Sequence, residues 1–152
     1  MKDKKRLLPQ GWQYRVLAAA AAAIAGNYLM AVIPWPGHVL SSYEEAMRPA
    51  SAREGVFLLE TLVLAPLLEE GVFRLALYGW LRRFMAFLPA ALISSLAFGM
   101  YHGNWIQGAY AFCLGMVLAW GYESSRGRGY PMAALMHGAA NLAALAVFAK
   151  CT

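Results

Sequence analysis

The stretch GVFLLETLVLAPLLEEGVFRLALYGWL, residues 55–81, sets the terms on which this chain can fold. A bilayer-spanning helix needs about 20 largely apolar residues, and this stretch is long enough. It also holds Glu60, Glu69, Glu70 and Arg74. At mid-helix Glu69, Glu70 and Arg74 together cost on the order of 8–10 kcal/mol on insertion, whereas about a dozen apolar neighbours return about 4–7 kcal/mol. The segment is marginal alone, so its charges must face a protein-lined, wet cavity. Ionisable groups held at such a cost mark function by default. Helix geometry separates the carboxylates. Glu70 and Arg74 are spaced i, i+4 and can pair, while Glu69 sits about 100° round the helix with no partner at helical spacing.

The rest of the chain has the same character. It contains 152 residues, 61% hydrophobic and 14% charged, with a mean hydropathy of +0.47. Soluble domains carry about 25% charged residues. Four further apolar segments approach spanning length: residues 16–35, 84–103, 105–122 and 131–149. The expected fold is therefore all-α, a polytopic membrane bundle of about five transmembrane helices. It forms one integral membrane domain over residues 1–152, with a first helix and outer loop in 1–54 and a helical core in 55–149. The first helix, with its basic start and no small-x-small cleavage site before Trp35, is expected to stay uncleaved. The SYEEAMR stretch in the loop is expected to form a short surface helix.

The net charge of +5 forms no basic face or stripe, so no nucleic acid partner is expected. The cations instead report topology. With a cytoplasmic N-terminus, Lys2, Lys4, Lys5, Arg6, Arg15, Arg82, Arg83, Arg126 and Arg128 fall inside. Arg48, Arg53 and Lys150 fall outside, which places the C-terminus outside by the positive-inside rule. Trp12, Trp80 and Trp120 flank the inner ends, and Trp35 and Trp105 the outer ends. Cys113 and Cys151 show no metal or redox spacing, and Cys113 reads as a structural thiol inside an apolar run.

Two more polar pairs interrupt apolar helices at i, i+4 spacing: Phe98 with His102, and His137 with Asn141. Each histidine alone reads as an ordinary core or interface residue. Together with Glu69 they make a set that can hydrolyse a carbonyl compound. A carboxylate and one imidazole can hold and deprotonate water, and a second imidazole and an amide can donate to the oxyanion that follows. No GxSxG serine and no HExxH helix is present, so those mechanisms lose support. Ser94 and Ser95 read as small packing residues, and Glu60 as interfacial.

These segments resemble the three motifs of the CPBP family (CAAX protease and bacteriocin-processing, Abi-like), EExxxR, FxxxH and HxxxN. Here they are EEGVFR at 69–74, FGMYH at 98–102 and HGAAN at 137–141, in order on successive helices and without departure from the pattern. The resemblance covers about residues 55–149 and leaves the first helix as a peripheral addition. It implies a glutamate-dependent intramembrane endopeptidase in a bacterial inner membrane. Glu69 and His102 would activate water, His137 and Asn141 would stabilise the oxyanion, and Glu70 and Arg74 would orient the site.

The implied substrate is a membrane-associated peptide; a myxosortase-like relative would trim C-terminal sorting signals of exported proteins. Membrane lipid is the other implied partner. A cofactor-free mechanism is expected. The alternative is zinc held by Glu69, His102 and His137, the three protein ligands a catalytic zinc site usually keeps. Two other classes compete: a non-catalytic immunity or binding protein of the same fold, and a small transporter using Glu69 and Glu70 as a proton relay. Five spans without an inverted repeat disfavour the transporter.

Overall fold

The computed structural model describes residues 8–47, 54–125 and 127–148. The cations at 2, 4, 5, 6, 48, 53, 126 and 150, and Cys151, lie outside the described residues. Every regular element among the described residues is helical: α1 (Trp12–Val32), α2 (Gly37–Met47), α3 (residues 54–81), α4 (Phe87–Tyr101), α5 (Trp105–Glu123) and α6 (Gly129–Phe148). α2 is longer at its start than the SYEEAMR expectation.

α3 is one continuous helix of uneven pitch. Two π-helical stretches, Glu60–Leu64 and Gly71–Tyr78, alternate with α-helical turns. The junction residues Leu59, Leu64, Glu70 and Tyr78 all keep right-handed helical dihedrals, so the chain widens without breaking. Pro66 lies just beyond the first wide stretch. Wide turns of this kind concentrate at functional sites.

The charged groups of the bundle turn inward and large apolar side chains cover its outside. Glu70, Arg74, Ser94, Ser95 and His137 are buried, whereas Leu17, Val32, Leu68, Leu96 and Trp105 are exposed. On α3 the change occurs within one turn: Leu68 is 71% exposed and Glu70 is 0% exposed. Among the described residues two helices, Trp12–Val32 and Gly129–Val147, are long and apolar enough to cross a membrane, and Phe87–Tyr101 is a shorter apolar helix.

Two expectations change. α1 is not peripheral: Ala19 and Ala23 are fully buried in one cluster with Leu114, Leu118, Met132, Met136 and Ala140 of α5 and α6. Small side chains let these backbones approach closely, which is how helices associate in a medium as apolar as their side chains. Cys113 is exposed rather than buried in the core. α5 is apolar all round, and such a helix has no stripe from which to read its inner face.

Polar groups fix the ends. Asn104 caps α5, its side chain accepting the Gln107 N–H at 2.8 Å. At the other end of α5, Arg15 of α1 donates to Ser124 Oγ and Ser124 O, each at 2.9 Å, so a cation meets the negative end of the helix. Arg82, just past α3, pairs with Glu123 at 2.7 Å, and Tyr78 Oη donates to the same carboxylate at 2.6 Å. Hydrogen bonding from Arg82 holds the Glu123 carboxyl below its ordinary range.

Candidate active site

The three polar pairs meet where α3, α4 and α6 face one another. Glu70 and Arg74 pair along α3 as helical spacing requires, with Arg74 Nε 3.2 Å from Glu70 Oε2 and both side chains fully buried. Glu70 has a second partner that spacing could not reveal. His137 Nδ1 lies 2.9 Å from Glu70 Oε1 across the α3–α6 seam. A carboxylate only accepts, so Nδ1 carries a hydrogen and spends it on Glu70. Nε2 faces Glu69, with 3.7 Å between it and Glu69 Oε2. Glu69, unpaired along its own helix, thus finds its partner on another. One imidazole stands between the two carboxylates.

The Arg74 guanidinium is also held by a ring, its Cζ 4.4 Å from the centroid of Phe98. Gly115 of α5 admits it, since a Cβ there would stand 2.9 Å from Arg74 Nη2. Phe98 gathers the histidines as well. The His102 ring packs edge-on against it at 4.9 Å and the His137 ring at 5.6 Å between centroids. His102 follows the last turn of α4, and its Nδ1 bonds back to Phe98 O at 3.0 Å. Helical side chains lean toward the N-terminus, so the His102 imidazole covers the turn beneath it and reaches the level of His137. Both imidazoles thus pack against the same phenyl ring.

Asn141 joins this face of α6 one turn beyond His137, and its Nδ2 donates to Thr61 O at 2.8 Å. Next to it Gly138 lies so close to α3 that a Cβ would stand 2.6 Å from Leu62 O. Further down the seam Tyr130 Oη donates to Leu67 O at 3.1 Å. Thr61, Pro66, Gly138 and Tyr130 were not among the residues singled out from sequence. A proline inside a charged helix was the available signal, because it must release carbonyls.

Among the described residues no three of His, Cys, Asp and Glu converge closely enough to hold a metal ion. What the arrangement offers chemically is a carboxylate facing one imidazole, a second imidazole packed on the same phenyl ring, a buried ion pair and an amide one turn away.

No curated protein and no solved structure matches the chain. A family model does. The type II CAAX prenyl endopeptidase Rce1-like model matches residues 52–143, which takes in α3 through most of α6 and all six polar site residues. With more than half of its length matched, the chain belongs to this Rce1-like family of membrane proteases.

Proposed function

We propose that this chain is an intramembrane endopeptidase that hydrolyses a peptide bond in a membrane-associated protein. The observation that carries the reading is His137, held by Glu70 at 2.9 Å and facing Glu69 at 3.7 Å inside an apolar-coated bundle. Glu69 takes the proton of a water held between it and His102, and the hydroxide adds to the scissile carbonyl. The oxyanion accepts from the His137 Nε2–H, with that ring protonated at both nitrogens, and from the second amide hydrogen of Asn141. Collapse of the tetrahedral species returns the proton from Glu69 to the leaving amine. Glu70 and Arg74 keep His137 oriented. No step is routed through a metal.

In this reading α1 and α3–α6 make five crossings of a bacterial inner membrane, with the N-terminus cytoplasmic and the C-terminus outside. The support is the gathering of Arg15 and Arg82 at one end of the bundle, with Arg128 just before α6. The substrate class that suits it is a C-terminal sorting tail of an exported protein.

The test is cleavage of membrane-anchored peptides bearing such tails by the protein in lipid nanodiscs. Glu69→Gln should lower turnover by about 10²–10⁴-fold, the usual contribution of a positioned base, with no change in the unfolding temperature. Cleavage that survives the substitution removes Glu69 from the chemistry. A wild-type protein that cuts none of the peptides yet still protects against a partner toxin supports the immunity reading.

A further inference from the structure

The hydrogen bond from Asn141 to Thr61 O traces to a missing donor in α3. In an α-helix Thr61 O receives the N–H of residue 65 and Leu62 O that of residue 66. Residue 66 is proline and has no N–H, so Leu62 O loses its donor outright. The wide turn ahead of it diverts the other, because Ala65 N–H bonds to Glu60 O five residues back. The next donor for Thr61 O in that wider register is residue 66 again. Two consecutive carbonyls lose their α-helical donors, and α6 meets both. Asn141 Nδ2 takes Thr61 O at 2.8 Å, and Gly138, with no Cβ, lies over Leu62 O.

We propose that Pro66 is a positioning residue for the active site, which delivers the Thr61 carbonyl to Asn141 by withholding its own N–H. One amide hydrogen of Asn141 is then fixed on α3, and the planar amide aims the other toward the reacting carbonyl. The same contact holds α6 in the register that brings His137, one turn away, between Glu69 and Glu70. The inference rests on the hydrolytic reading of the site.

Its test restores the missing donor. Pro66→Ala, with Pro66→Ser as a second variant of the same kind, supplies an N–H that competes with Asn141 for these carbonyls. Proline is the least favourable residue in a helix and alanine the most favourable, so the repaired helix should unfold at the same or a higher temperature. Turnover should nevertheless fall about tenfold with KM within twofold, the pattern of a misaimed group rather than a lost binding contact.

The pairing is checked by a double-substitution cycle. In an Asn141→Ala background, Pro66→Ala should have no further effect on turnover, because the residue through which it acts is gone. Unchanged turnover in both single Pro66 variants overturns the inference, as does a parallel loss of stability and turnover. So does an undiminished effect in the Asn141→Ala background. Failure of the hydrolytic reading itself shows differently, as a wild-type protein without cleavage or a fully active Glu69→Gln.

Discussion

The seam between α4 and α5 and the seam between α3 and α6 solve the same contact problem with different chemistry. At the first, Gly99 and Gly108 bring two regular backbones together, with a Cβ at Gly108 falling 3.0 Å from Gly99 O and one at Gly99 falling 2.6 Å from Gly108 O. At the second, Gly138 approaches Leu62 O to the same 2.6 Å, but Asn141, Tyr130 and His137 add side-chain hydrogen bonds across the gap. The α4–α5 contact rests on shape. The α3–α6 contact rests on shape plus side-chain hydrogen bonds to α3 carbonyls and to Glu70. Close packing alone joins helices; those hydrogen bonds also aim side chains.

The contrast breaks most sharply at Gly138. A Cβ there must push α6 away from α3, and the His137–Glu70 and Asn141–Thr61 bonds lengthen together. Gly138→Ala is expected to lower turnover by about 10²-fold, the scale of an ångström-sized misplacement, measured in nanodiscs per folded molecule. If turnover is kept, the α3–α6 register does not govern the site.

Gly108→Ala poses a similar steric problem on the other seam. It should destabilise by about 1–3 kcal/mol, as overpacking does, and lower the unfolding temperature while turnover per folded molecule stays within a few-fold. Equal losses of turnover at both glycines would erase the distinction between the seams.

The smallest effect belongs to an exposed polar contact at the bundle's end. Glu123 is held below its ordinary pKa by Arg82, so its contribution is present above the unfolded carboxylate value of about 4.3 and fades as pH falls through the lower folded value. For a pair 31% and 38% exposed the contribution is about 0.2–1 kcal/mol after screening. Glu123→Gln should therefore lower stability slightly at pH 7 and progressively less as the pH falls below about 4, read as a pH-dependent difference in denaturant midpoint.

Apolar run lengths placed the helices well: the boundaries of α3, α5 and α6 lie within a few residues of those read from sequence. Glu70 and Arg74 were legible as a pair because both lie on one helix at i, i+4. The partner of Glu69 was not, since His137 comes from a helix 67 residues on from Glu70, and spacing along one helix says nothing about another. Depth along a helix was no guide either. His102 and His137 lie at unlike positions along their helices, and only the lean of His102 over Phe98 brings them level. The role of Thr61 was invisible in its side chain, because its backbone oxygen makes the contact.

The step from Leu68 to Glu70 along α3 has a consequence for how a substrate would arrive. A helix with its side chains is about 10–12 Å across, so these carboxylates stand within one helix diameter of the surrounding lipid. On that side the proposed site has a partition one helix thick. A peptide tethered in the bilayer and drifting in two dimensions needs no tunnel through the bundle, only a gap beside that partition. If the proposed hydrolysis holds, substrate and site meet across a single wall, with the proposed base Glu69 mounted in the wall itself.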